Sequence, residues 1–249
     1  MPMIATAETA RSSRRRGESN GSTYWITTFL GANRHTLPTG APEPGPDEIY
    51  PMGFLVEQDA SKVVQPHFHQ ADQFQVVVDG EARLGTHEVR GIAVHFTARY
   101  SAYGPIVASD KGVHYFTLRN GWDSGARYMP GARTELRERR TSPHRESVSE
   151  PIAIAEAFTQ SDPVTVLPHE ADGLGAWRYR LAPGQSITGP NPADGRGQNW
   201  LVLGGRVSAG VADDLPTFSC LFTYPDDPAV EFVAGPDGTD ILCMQYPRR

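Results

Sequence analysis

The chain has 249 residues and a formal charge of −6, with a pI near 5.7, which argues against general nucleic-acid binding. Its 25 glycines and 21 prolines exceed average usage and are spread along the sequence, which suits many short strands and turns rather than helices. Cys220 and Cys243 are its only cysteines; they make no disulfide framework, so a reducing cytoplasm is the expected setting, and no apolar run approaches the roughly 18 residues that span a bilayer.

The first stretch, "MPMIATAETARSSRRRGESNGST", has no apolar segment of the kind a secretory signal needs. It is polar and almost free of large apolar side chains, so residues 1–23 are expected to form a disordered tail. From about residue 50 the chain reads as short strands bounded by Gly, Asp and Asn: "GFLVEQ", "DQFQVVVDG", "EARLG", "GIAVHFTA" and "GVHYFTLRNG". Two helical stretches are expected, "GARTELRERR" at 131–140 and "SEPIAIAEAFTQ" at 149–160. Strands resume with "GAWRYRLAPGQ", "QNWLVLGGRVSAG", "FSCLFTYPDD", "EFVAG" and "TDILCMQYPRR".

The two strand-rich blocks repeat in register. "QFQVVVDG" (73–80) answers to "QNWLVLGG" (198–205), Phe96-Thr97 to Phe222-Thr223, and Gly112-Val-His114 to Gly238-Thr-Asp240. All these matches lie 125 or 126 positions apart, which points to two copies of one β-module. The expected layout is all-β, with a first barrel over 24–130, a partly helical linker over 131–165 and a second barrel over 166–249.

The chemistry concentrates in "QPHFHQADQFQVVVDG". Side chains alternate along a strand, so His67 and His69 point to one face, and Gln73 joins them if the phase is kept. Gln75 and Val77 follow Gln73 inward, while Phe74, Val76 and Val78 pack against the opposite layer. Two imidazoles and an amide suit a divalent metal. The competing expectation is a set of barrel-lining polar residues that bond one another or a water.

The spacing His-x-His-x3-Gln-x6-Gly over residues 67–80 resembles the first motif of the cupin superfamily, with Gln73 where Glu is usual. The duplicated modules resemble a bicupin over roughly residues 45–249. The resemblance implies two tandem cupin-type jelly-roll barrels and a divalent metal ion (Mn, Fe, Ni or Zn) held in the first by His67, His69 and Gln73. A Gln at this place also occurs in some manganese cupins, including bacterial hydroxynitrile lyases. The second cupin motif departs from the pattern: "RYSAYGP" stands where its histidine is expected. The nearest downstream histidine, His114, is either a further ligand or an acid/base group. Tyr103 sits in that turn and is a candidate for catalysis or substrate contact; Gln75 and Arg119 are candidates for the pocket wall. His95, in "AVHFTA", is expected to be structural. The second barrel has "GPNPADGRGQ" before Gln198 and lacks the ligand set, so a structural or interface role is expected.

An open metal site on this scaffold implies lyase, isomerase, decarboxylase or dioxygenase chemistry on a small oxygenated organic molecule. The alternative is a non-catalytic module that binds or senses such a molecule. Fold alone cannot choose, because one fold hosts many activities. Exposed barrel edges and family habit favour a homodimer; neither nucleic acid nor a membrane is an expected partner.

Overall fold

The computed structural model describes residues 1–32, 36–153, 158, 162–210 and 212–249. In chain order its strands are β1 (Met3–Ala5), β2 (Arg15–Ser19), β3 (Ser22–Leu30), β4 (Met52–Gln58), β5 (Val63–Val64), β6 (His67–Phe68), β7 (Gln73–Leu84), β8 (His87–Arg90), β9 (Ala93–Thr97), β10 (Ile106–Arg119), β11 (Arg127–Tyr128) and β12 (Glu146–Val148). They continue as β13 (Val164–Leu167), β14 (Gly175–Leu181), β15 (Ser186–Thr188), β16 (Gln198–Ala209), β17 (Ala212–Pro216), β18 (Cys220–Thr223) and β19 (Glu231–Gln245). The α-helices among the described residues are α1 (Ala7–Ala10) and α2 (Arg133–Arg139). Helix α2 falls inside the expected 131–140. The other expected helix, at 149–160, lies mostly outside the described residues. The chain is all-β, in two compact units: Ser12–Ala153, and Met1–Arg11 with Ile154–Arg249. No described helix is long and apolar enough to cross a membrane.

In the first unit the strands run β12-β9-β7-β10-β4-β3-β2, with β5 on β10 and β8 on β7. A separate ribbon joins β6 to β11. Alternation along the two long central strands divides their side chains. Val77, Val113 and Tyr115 join Val56, Leu84 and Ile106 in one apolar cluster. Phe74, Val76, Phe116 and Leu118, of the other parity, are fully buried on the opposite face. Both faces of these strands are therefore covered, which is why their sequences run nearly continuously apolar.

The barrel is wider in sequence than 24–130. Strand β2 lies in the stretch expected to be a disordered tail, and β12 lies in the expected linker. The polar composition of 1–23 hides the strand because charged side chains hold it. Arg14 pairs with Glu57 at 2.8 Å, Arg16 pairs with Asp59, and the Arg14 guanidinium lies 4.1 Å from the Trp25 ring centre. Residues 3–5 pair instead with β18 of the second unit.

The second unit runs β1-β18-β16-β19-β14-β13. Its central pair repeats the first unit's: β7 pairs with β10 through Gly80↔Val113, and β16 with β19 through Gly205↔Thr239. Gly80 has φ 75° and Gly205 has φ 71°. A Cβ on either would strike the facing carbonyl, of Gly112 or Gly238 respectively. Only glycine accommodates that backbone approach in the left-handed region.

Candidate functional site

One face of β7 carries Gln73 and Gln75, and one face of β10 carries Tyr115, Thr117 and Arg119. These residues line a cavity of about 190 Å³ together with His67, His69, Tyr103 and Asp123. His67 belongs to β6 and is held by a two-way backbone bridge to Tyr103, at 3.1 and 2.9 Å. The turn after β9 thus delivers the Tyr103 ring beside the imidazole, 4.5 Å between centres. The structure brings together His67, His69, Gln73, Gln75 and Tyr103, all of them expected at the site.

Their hydrogen bonds form a directional chain. Arg119 Nε and Nη2 both donate to Gln73 Oε1, at 2.9 and 2.7 Å. Gln73 Nε2 donates to the Tyr103 hydroxyl at 2.7 Å. That hydroxyl donates in turn to His67 Nε2 at 2.9 Å. His67 Nδ1–H donates outward to the Gln65 carbonyl at 2.7 Å, which fixes the tautomer with an Nε2 lone pair facing inward. A second branch starts at Asp123, whose Oδ2 accepts from His69 Nδ1 at 2.8 Å and pairs with Arg119 Nη1 at 3.0 Å. Arg119 Nη2 stands 3.2 Å from both ring nitrogens of His69. Equal distances to both nitrogens put it over the imidazole face, since an in-plane position would collide with the carbon between them. His69 Nε2 is thus left with its lone pair.

Burial and charge set the protonation states. His67 is pushed down to about 3, by burial first and then by His69 and Arg119. His69 is lowered as well, by burial and by Arg119, against the pull of Asp123. Both imidazoles are neutral near pH 7. Burial pushes the Tyr103 phenol well above its ordinary value, so it stays protonated. Burial would raise Asp123, but Arg119 and His69 outweigh it and hold the carboxyl well below the usual range.

His114 does not belong to this constellation. It has the parity of Phe116 and Leu118, so it leaves β10 on the side away from Tyr115, Thr117 and Arg119. It is 38 % exposed and lies 3.5 Å from Asp79. The expectation that it ligates a metal or passes a proton at the pocket fails on strand phase. His95 is buried between Gln75 Oε1 at 2.9 Å, Thr97 Oγ1 at 2.8 Å and Glu146 Oε1 at 3.1 Å. It braces Gln75 from behind. Sequence reasoning missed Asp123, which lies past the last strand it recognised; its spacing of four from Arg119 was the available signal.

A divalent cation needs several lone pairs aimed at one point. Here Gln73 Oε1 is taken by Arg119 and His67 Nε2 by Tyr103, which leaves His69 Nε2. No carboxylate offsets a dication, because Asp123 already serves Arg119 and His69. Arg119 adds repulsion: two unit charges roughly 4 Å apart at an effective dielectric of about 20 repel by about 4 kcal/mol, and a dication doubles this. Among the described residues no three of His, Cys, Asp and Glu are grouped to hold a metal. As arranged, the site does not fit a divalent ion.

The second unit does not repeat these site residues. Gln198 and Gln245 stand where Gln73 and Arg119 stand, bonded at 2.9 Å. Trp200 takes the place of Gln75, and its ring packs 4.5 Å from Phe232 and 5.7 Å from Tyr179. Asp240, the counterpart of His114, is fully buried and paired with Arg178.

No protein-family model and no curated protein matches the sequence. Solved structures do. A candidate dioxygenase from Nostoc punctiforme aligns with TM-score 0.63 and 12 % identity, over 98 % of this chain and 82 % of that one. A bacterial pirin from Escherichia coli, solved with nickel(II), aligns with TM-score 0.59 and 12 % identity over 100 % of both chains. An oxalate decarboxylase from Bacillus subtilis aligns with TM-score 0.59 and 10 % identity, over 99 % of this chain and 78 % of that one. At such identities the likeness is one of fold, and it agrees with the duplicated β-units: the chain has the all-β, jelly-roll fold that these structures share.

Proposed function

We propose that the first barrel binds a small oxygenated organic molecule and performs proton-transfer chemistry of the lyase or isomerase kind on it, with protein groups alone. The observation that carries this reading is the His69–Asp123 pair beside Tyr103. A neutral imidazole with a free Nε2, steadied through Nδ1 by a buried carboxylate, is a general base at neutral pH. Tyr103 is a protonated phenol that can turn its O–H from His67 onto a substrate oxygen. The proton leaves a carbon beside the substrate carbonyl for His69 Nε2, and the oxygen that gains charge accepts the Tyr103 hydrogen bond. Arg119, fixed over the His69 ring, adds positive potential at the same spot. Met52, Phe54, Val56 and Ile106 supply an apolar wall. The cavity lies below the roughly 300–1,000 Å³ usual for drug-sized ligands, which suits a small molecule.

The test is proton exchange in heavy water, followed by NMR over a panel of 2-oxo acids and 3-hydroxy acids, with chelated protein. The reading predicts exchange at the carbon beside the carbonyl for at least one compound, lost in both His69→Gln and Tyr103→Phe. Exchange that survives in the double variant, or no exchange anywhere in the panel, contradicts it.

A second reading places a divalent metal on His67, His69 and Gln73. One observation favours it: both imidazoles bond outward through Nδ1. The Arg119 guanidinium within the set weighs against it. Exchange that appears only when a divalent metal is restored selects this second reading.

A further inference from the structure

We infer that the ligand of the first barrel carries a carboxylate, and that Arg15, from the N-terminal strand, is the residue that selects it. The inference rests on the reading of the cavity as a small-molecule site and adds the charge of the molecule it takes.

Arg14, just before β2, and Arg16 within it pair with Glu57 and Asp59. Alternation sends Arg15 and Ser19 to the other side. There Ser19 Oγ meets the Tyr128 hydroxyl at 2.8 Å, and Arg15 joins the cavity lining. Both neighbours of Arg15 in sequence are compensated; Arg15 is not. Among the described residues no carboxylate, carbonyl or ring pairs with it, though it is half-buried.

The charges lining the cavity make the same point. They are Arg15, Arg119 and Asp123. Arg119 and Asp123 neutralise each other at 3.0 Å. One positive charge is left over, at the half-buried rim. An arginine presents a planar fork that matches a carboxylate with two parallel N–H donors. The apolar wall between this rim and the buried floor takes the body of the molecule. The predicted ligand is a small monoanionic organic acid whose second oxygenated group reaches Tyr103 and His69.

Isothermal titration of the full chain with 4-oxopentanoate, 5-oxohexanoate and 3-benzoylpropionate, each beside its uncharged amide, tests this. At least one acid is expected to bind about tenfold or more tightly than its amide. Arg15→Gln is expected to abolish that preference, Arg15→Lys to keep part of it, and added salt to weaken the acid but not the amide. If amides bind as tightly as acids, the inference fails while the small-molecule site stands. If neither class binds, both fail. An acid preference that persists in Arg15→Gln removes Arg15 from the assignment.

Discussion

Tyr103 is the hinge of the site at the scale of single residues, since its hydroxyl accepts from Gln73 and donates to His67. Tyr103→Phe leaves two buried polar groups short of a partner and is expected to cost about 1–3 kcal/mol in urea denaturation. Asp123→Asn strands the Arg119 charge in the interior, and the expected cost is about 3–5 kcal/mol by the same measurement. The imidazoles set the acid response. His67 titrates near 3 in the folded chain against about 6.5 unfolded, and His69 is shifted the same way. Between these values the unfolded chain binds more protons, so folding stability is full above about pH 6.5 and falls as pH drops toward 3. For His67 alone the slope approaches about 1.4 kcal/mol per pH unit. His67→Gln is expected to flatten that fall in denaturation curves taken across the window. At this scale the pairing of His67, His69 and Gln73 was legible from spacing. Asp123 was not, because contact between residues 69 and 123 depends on how the chain returns after β10.

Strand phase decides the role of whole segments. Counting by two from Arg119 through Thr117 and Tyr115 reaches the pocket face and leaves His114 outside it; an expectation built on the nearest histidine ignored this parity. His114→Ala is therefore expected to change stability by no more than about 0.5 kcal/mol and to leave ligand titration unaltered. Strand β2 shows a different limit. Its "RRRGES" reads as a tail because the ion pairs that hold it join Arg14 and Arg16 to Glu57 and Asp59, 43 positions away. Helix α2 and the long apolar strands were legible, since local periodicity suffices for them. Gly80 and Gly205 mark the tight approach of the paired central strands, and alanine at either is expected to cost more than about 1 kcal/mol.

The whole molecule uses one module in two ways. The register shared by the β7–β10 and β16–β19 pairs accounts for the 125–126 offset read from the sequence. In the first unit, polar residues leave a cavity open. In the second, Trp200, Tyr179 and Phe232 pack together in the corresponding interior, and the floor positions hold the amide pair Gln198–Gln245 in place of Gln73 and Arg119. The duplication was legible; the extent of each unit was not, because the added strands β1, β2 and β12 are short and polar or isolated in sequence. That the polar floor is complete without a metal rests on Arg119 and Tyr103 filling the contacts a cation would use. The direct test is the metal content of untagged protein purified after growth with supplemented Mn, Fe, Ni and Zn. The account predicts far less than one metal per chain and a denaturation midpoint unmoved by chelation. One tightly held metal per chain, whose removal lowers that midpoint, would contradict it.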